Sequence, residues 1–541
     1  MVKEGLPQPG TAAAERLPIG ALFALVLGTF MAVLDASIVN VALPRMMAIF
    51  NASTDQIQWV LTIYLLVGGM VIPATGYIGD RFGYKGAYLA SIAFFTVTSM
   101  LCGCSWSTSS IIAARALQAI GGGMVIPLSM AMVYQIWPKD RIGMAMGIWG
   151  LTMTLAPAIG PTLGGYLVDY FSWRLIFYIN LPVGILTILL GWVFLTETRR
   201  VKELRLDVLG LLLISGSCFA VLLALSKGQE WGWGSQNTVT LFLAALFGFL
   251  LFFFRELAVP NPVVDVRLLR NGAFSLSLFT SSLASIALFT GVFIVPIFTQ
   301  NVQGYSPLQT GLILMPAALG TGFVMPLAGK LFDKIGAAVP AVAGLGLVAL
   351  TTYLLSHITA DMPVHRLQVL LCLRGVGLGF SMMPLMTAGM NTVPGPHVGQ
   401  ASALMNVVRQ VAASFGIALV TYVLVNRIAF HGVRLKEGVS HLAPLGYFYY
   451  SRVEAGVSAS VGPAAAKTVT EGLLAGAVQK QAAVLAVGDA FIVATVLVLL
   501  ALPFAAYFTP GRVEAARRRA EEKLTRGPGA GEDGPAVPLE I

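Results

Sequence analysis

Charge is what this chain has least of. Only 11% of its 541 residues are Asp, Glu, Lys or Arg, against about 25% in an ordinary soluble domain. Hydrophobic residues make up 57%, and the mean hydropathy is +0.80. Such a balance excludes a soluble fold and points to many membrane spans. Cysteine is also scarce. Cys102, Cys104, Cys218 and Cys372 lie within or at the ends of apolar runs and show neither a disulfide framework nor zinc-ligand spacing. The pair Cys102 and Cys104 reads as packing. The five histidines, His357, His365, His397, His431 and His441, fall in connections or helix ends. No H-E-x-x-H, G-x-S-x-G or GxxxxGK[ST] pattern occurs, which disfavours an intramembrane hydrolase and an ATP-driven pump. In "GDRFGYKG" the lysine follows a tyrosine, so it is no phosphate loop. Alternating ten-residue segments of a membrane β-barrel are missing too. The formal charge of +9 sits between apolar runs, which suits membrane topology better than nucleic acid.

What the chain does have is long apolar runs. A bilayer core of about 30 Å needs about 20 apolar residues per helix, and backbone in lipid must satisfy its own hydrogen bonds. Fourteen runs meet the test: 18–43, 56–78, 87–105, 108–136, 141–168, 173–195, 207–226, 237–256, 272–299, 307–329, 337–356, 366–391, 400–426 and 484–508. With the N-terminus inside, the inner connections carry Arg81, Lys85, Lys139, Arg141, Arg199, Arg200, Lys202, Arg205, Arg255, Arg267, Arg270, Lys330 and Lys334. The short outer ones carry only Arg45, Arg174, Lys227 and Arg366. This asymmetry places both termini in the cytoplasm. The first run is too long for a signal peptide. Asn51-Ala-Ser53 matches a glycosylation sequon at the level of chance.

The sequence also repeats itself. "GYIGDRFG" (Gly76, Asp80, Arg81, Gly83) follows the second run, and "GKLFDKIG" (Asp333, Lys334, Gly336) follows the tenth. The offset of 253 residues also carries the first run onto the ninth, giving two six-helix halves with two helices inserted between them. Inverted or parallel repeats of this kind mark secondary transporters. Glycines allow a tight turn, the aspartates can accept hydrogen bonds at a neighbouring helix N-terminus, and the cations can meet acidic groups or anionic headgroups. Together they predict a cytoplasmic latch. The expected organisation is a 1–17 cytoplasmic tail, an 18–195 bundle and a 196–256 insert. A 257–508 bundle with an external loop at 427–483 and a 509–541 cytoplasmic tail without fixed structure complete it. Within the loop, Pro463–Gln481 predicts a short helical hairpin on the membrane surface.

"GYIGDRFGYKG" resembles the signature loop after helix two of the major facilitator superfamily. "APAIGPTLGG" resembles its antiporter motif. "LDASIVNVALP", "WRLIFYINLPVG" and "QAAVLAVGDAF" resemble the 14-helix drug:proton antiporters of the EmrB/QacA type. The resemblance implies an all-α integral membrane protein with the major facilitator fold, two six-helix bundles plus two inserted helices. It further implies a bacterial cell (inner) membrane location. It implies no cofactor, the proton gradient being the drive, and pairing with a periplasmic adaptor and outer-membrane channel where a second membrane exists.

In the antiporter motif, Ala156, Gly160 and Gly164 make a small-residue face for close packing. Pro157 and Pro161 bend the helix, and Gly165 ends the motif. A kinked, tightly packed helix between the halves predicts a seal, and the resemblance implies a role against leak. Asp35 and Arg115 are ionisable residues within spans, at an insertion cost of about 2.5–3.5 kcal/mol each. Both fall at similar outer depth and can meet or share one water-filled cavity. The resemblance implies a functional carboxylate at Asp35 and a proton-relay arginine at Arg115. A carboxyl poised between burial and an arginine can bind a proton on one side and lose it on the other. Arg374, at comparable depth, is a counterpart in the second half. Arg409 can pair with an inner-side group or bind an anionic part of a substrate. Asp489 is either functional or an exposed helix-start aspartate. Methionines in helices four, five and twelve suit a promiscuous apolar site as well as core filling. One deep carboxylate can serve a proton and a monovalent cation in turn. The expected function is proton-coupled export of lipophilic cationic or neutral amphipathic compounds. The alternatives are a dedicated exporter of one metabolite, peptide or lipid-like molecule and, from a different class, an intramembrane enzyme.

Overall fold

A computed structural model describes residues 17–198, 205–439 and 444–525. Arg199, Arg200 and Lys202 of the topology argument, the N-terminal tail up to residue 16 and the tail after residue 525 lie outside the described residues. Among the described residues there is helix and no strand. The N-terminal half contains α1 (Ile19–Phe50), α2 (Thr54–Val71), α3 (Ala74–Phe82), α4 (Tyr84–Gly103), α5 (Thr108–Ile136), α6 (Ile142–Tyr170), α7 (Leu175–Tyr178) and α8 (Asn180–Phe194). The inserted pair is α9 (Val208–Trp231) and α10 (Gln236–Ala258). The second half contains α11 (Gly272–Ile297), α12 (Pro307–Ile335), α13 (Ala338–Leu355), α14 (Val364–Met390), α15 (Val398–Val439), α16 (Pro444–Val461) and α17 (Pro463–Ala505), with α18 (Pro510–Thr525) following. Thirteen helices are long and apolar enough to cross a membrane, and α2 with α3 makes a fourteenth span bent by 55°. Pro73 stands at that bend.

Local chemistry sets the helix ends. Ser53, Ser107 and Ser306 each close a capping box with the residue three positions on, satisfying orphan amides at the helix start. The two repeated loops end alike. Gly83 has φ 91° and Gly336 has φ 80°, a region open to glycine. Their amides donate to the carbonyls of Gly79 and Phe332.

The apolar core is distributed unevenly. At the end carrying the two repeated loops, the latch end, one cluster draws on both halves, from Met130 and Trp149 to Met325, Met383, Met386 and Met405. At the far end the halves keep separate clusters. One includes Ile38, Val60 and Phe177, and the other includes Ile294, Leu371 and Phe491.

Two expectations need correction. The segment 463–481 is no separate hairpin on the membrane surface, because α17 runs unbroken through it to Ala505. With 42 and 43 residues, α15 and α17 are each about 64 Å long at 1.5 Å per residue, twice the bilayer core. Both therefore project beyond the far end, with α16 between them. Of the tail expected to lack fixed structure from residue 509, Pro510–Thr525 forms α18. Its first residue, Pro510, packs on Gly336, and the amide of Ala338 donates to the carbonyl of Phe508.

Candidate transport site

Asp35 and Arg115 meet. Arg115 Nη1 lies 2.5 Å from Asp35 Oδ2, and both side chains are 0% exposed. Asp35 Oδ1 accepts from Gln118 Nε2 at 3.0 Å and from Asn180 Nδ2 at 2.7 Å. Gln118 Oε1 accepts from Arg115 Nη1 at 2.7 Å, and Asn180 also donates to Ser99 Oγ at 2.9 Å. The guanidinium stacks over the Tyr64 ring, 4.0 Å from its centroid, where the negative ring face favours a cation. Arg115 Nη2 is buried with no hydrogen-bond partner among the described residues.

Position follows from the helices. Arg115 and Gln118 are three apart on α5 and therefore share a face. Asn180 begins α8 and aims at the same carboxylate. All these partners belong to the N-terminal half, so the pair sits inside one bundle and is closed to water in this state. Sequence reasoning singled out Asp35 and Arg115 but missed Gln118, Asn180, Ser99 and Tyr64. Their signal was faint: a Gln three residues after the buried Arg, and an Asn interrupting "FYINLP".

The antiporter motif lies beside this network, but its small-residue face does not join the halves. A side chain at Gly160 would collide with Ser37, and one at Gly164 would press on Ile38. That face therefore packs on α1, two residues from Asp35. Pro157 and Pro161 lie within α6, Pro161 facing Gly311 of the other half, while Gly165 borders open space. The close contacts between the halves use an earlier stripe of α6. A side chain at Gly143 would meet Gly329, one at Gly147 would meet the Met325 backbone, and one at Gly150 would meet Met383.

The repeated loops use the same turn differently. Asp333 Oδ1 and Oδ2 accept from the amides of Gly143 (2.8 Å) and Met144 (3.1 Å). A carboxylate of one half thus caps the start of α6 in the other, the geometry expected at a helix N-terminus. Asp80 instead accepts from Tyr84 Oη at 2.8 Å within its own half. Tyr84 leaves no space for a side chain at Gly399, near the start of α15, and Gly76 lies against Gln400. Arg81 is half-buried and Lys334 exposed, and neither makes an ion pair among the described residues.

The other candidate charges are apart from this site. Arg374 is buried in the second half. It donates from Nε to Thr352 Oγ1 at 3.2 Å and from Nη2 to the carbonyl of Ala287. No carboxylate pairs with it among the described residues. Arg409 donates to Asn406 Oδ1 at 2.8 Å on its own helix. Asp489 is no helix-start residue, since it lies well inside α17. Its Oδ2 is 2.5 Å from Arg427 Nε and 2.7 Å from His431 Nε2, which ties α17 to α15 at the far end.

Up to fourteen spans, built as two halves around an inserted pair, define a many-span helical membrane protein. The family model of the Major Facilitator Superfamily matches residues 25–417, and the chain belongs to that superfamily. It is 34% identical to "Multidrug resistance protein Stp" of Mycobacterium tuberculosis over 76% of either chain. It is 32% identical to "Multidrug export protein EmrB" of Haemophilus influenzae, over 82% of this chain and 89% of that one. The solved structure of the proton:xylose symporter XylE superposes with a TM-score of 0.56 at 14% identity, covering 92% of this chain and 98% of that one, a likeness of fold alone.

Proposed function

We propose that the protein is a proton-coupled exporter of lipophilic cationic or neutral amphipathic compounds, working by alternating access. The observation that carries the reading is the fully buried Asp35–Arg115 pair, inside a bundle whose relatives are named as a multidrug resistance protein and a multidrug export protein. A buried charge in a span is costly and marks function by default. Asp35 holds the transported proton, and Arg115 favours its release by pairing with the freed carboxylate. Gln118 and Asn180 keep that carboxylate oriented in both protonation states, because amides can reorient between donor and acceptor roles.

The latch end is cytoplasmic in this reading, which the cation asymmetry supports. The shared core there and the separate cores at the far end fit a state closed to the cytoplasm. Opening inward breaks the Asp333 cap and the Gly143–Gly329 contact, and substrate then enters between the halves. Each inward proton supplies about 2.3 kcal/mol per 100 mV and about 1.4 kcal/mol per pH unit. The test is Asp35→Asn in proteoliposomes with an imposed proton gradient. Uphill accumulation of a lipophilic cation is lost while downhill counterflow persists. Uphill export at the wild-type rate overturns the assignment.

A further inference from the structure

A cavity of about 920 Å³ opens on the side of the molecule, between the inserted pair and the second half. Along α15 it runs from Leu404 to Tyr422, about 27 Å at 1.5 Å per residue, close to the thickness of the bilayer core. Apart from Ser282 and the polar tips of Trp233 and Tyr422, its lining side chains are apolar. Phe253, Leu269 and Phe415 on its rim are exposed toward lipid. It touches neither the Asp35 network nor the latch, and none of its lining residues is acidic.

Its two ends differ. At the far end Trp233 and Tyr422 meet edge to face, with centroids 6.3 Å apart, as aromatic residues do at a membrane interface. At the latch end the floor is Val266 and Leu269, from the short 3-10 helix Val266–Arg270. Residues three apart eclipse in such a helix. Val266 and Leu269 thus share the cavity side, while Arg267 and Arg270 share another and are exposed. Arg255 nearby is already occupied by Asp207, at 3.1 and 3.2 Å. Arg267 gives only Nη2 to the carbonyl of Leu257, and Arg270 has no side-chain partner among the described residues. The short helix that floors the apolar furrow therefore carries, on its exposed side, two available guanidinium groups, which suit phosphate.

We propose that this furrow is a resident site for an anionic phospholipid of the latch-side leaflet. Its acyl chains lie between α10 and α15, and its phosphate meets Arg267 and Arg270. The lipid packs the inserted pair against the second half. This inference is independent of which ion drives transport.

The test is native mass spectrometry of the full chain after reconstitution with phosphatidylglycerol or phosphatidylcholine, followed by mild detergent extraction. Wild type retains phosphatidylglycerol at least five-fold more than phosphatidylcholine. R267Q/R270Q loses that preference, R267K/R270K keeps most of it, and R366Q, an exposed arginine elsewhere, is unchanged. A412W, which fills the furrow, releases the lipid irrespective of headgroup. Retention equal for the two lipids, or untouched by R267Q/R270Q, overturns the proposal. So does displacement of both lipids by tetraphenylphosphonium in wild type, which would make the furrow a cation site. Should A412W fail to insert, the arginine variants alone decide.

Discussion

Two buried arginines at comparable depth, one in each half, live in different surroundings. Arg115 has a carboxylate at 2.5 Å, a glutamine beside it and an aromatic ring beneath it. Arg374 has a threonine hydroxyl and a backbone carbonyl, in a space kept open by Gly291. The difference teaches that the two halves share a fold without sharing chemistry. The first contains a group able to gain and lose a proton next to a fixed cation. At the matching depth the second holds Arg374 with no carboxylate partner among the described residues, a fixed cation that can tie helices but cannot exchange a proton. The latch shows a similar asymmetry, since Asp333 reaches across to α6 whereas Asp80 acts through Tyr84.

The contrast is broken most severely at Arg115. Arg115→Ala strands a buried carboxylate, and removing one partner of such a pair costs about 3–5 kcal/mol. A large drop in thermal midpoint and loss of uphill transport are expected, with the double variant Arg115→Ala/Asp35→Asn regaining stability but not coupling. Arg374→Met leaves no stranded acid. Its thermal midpoint should stay near wild type or rise, and a fall as large as that of Arg115→Ala would erase the distinction. Next comes the seal. Gly147→Leu places a side chain against the Met325 backbone and should lower transport more than ten-fold in vesicles while the protein still inserts. The latch gives smaller effects. Asp333→Asn weakens two hydrogen bonds to amides across the interface and should slow counterflow several-fold, more than Asp80→Asn does. Equal losses at the two positions would argue that the loops work alike. Lys334→Gln, at an exposed side chain, should change rates less than two-fold.

Much of this was legible in the sequence because charge is so rare in it. Asp35 and Arg115 stood out against apolar neighbours, and fourteen runs with a 253-residue repeat gave the halves and the insert. What stayed hidden has physical reasons. Gln118 and Asn180 are neutral, and a hydrogen-bonded amide in a span stands out far less than a charge. Gly143, Gly147 and Gly150 form one small-residue stripe on α6 and Gly160 and Gly164 another. Periodicity cannot tell which of two such stripes faces α1 and which faces α12. The extension of α17 at the far end departs from the separate surface hairpin that hydropathy predicts, because hydropathy measures fitness for lipid, whereas helix continuity depends on backbone hydrogen bonds that do not stop at the membrane surface. The lateral furrow is made by residues from the insert and from α15, more than 150 positions apart, and only packing brings them together.

The most direct measurement of the central claim is proton release when purified protein in weakly buffered detergent solution binds a lipophilic monocation. Wild type should release protons on addition of tetraphenylphosphonium, and Asp35→Asn should bind it without release. Release of wild-type size from Asp35→Asn would contradict the account.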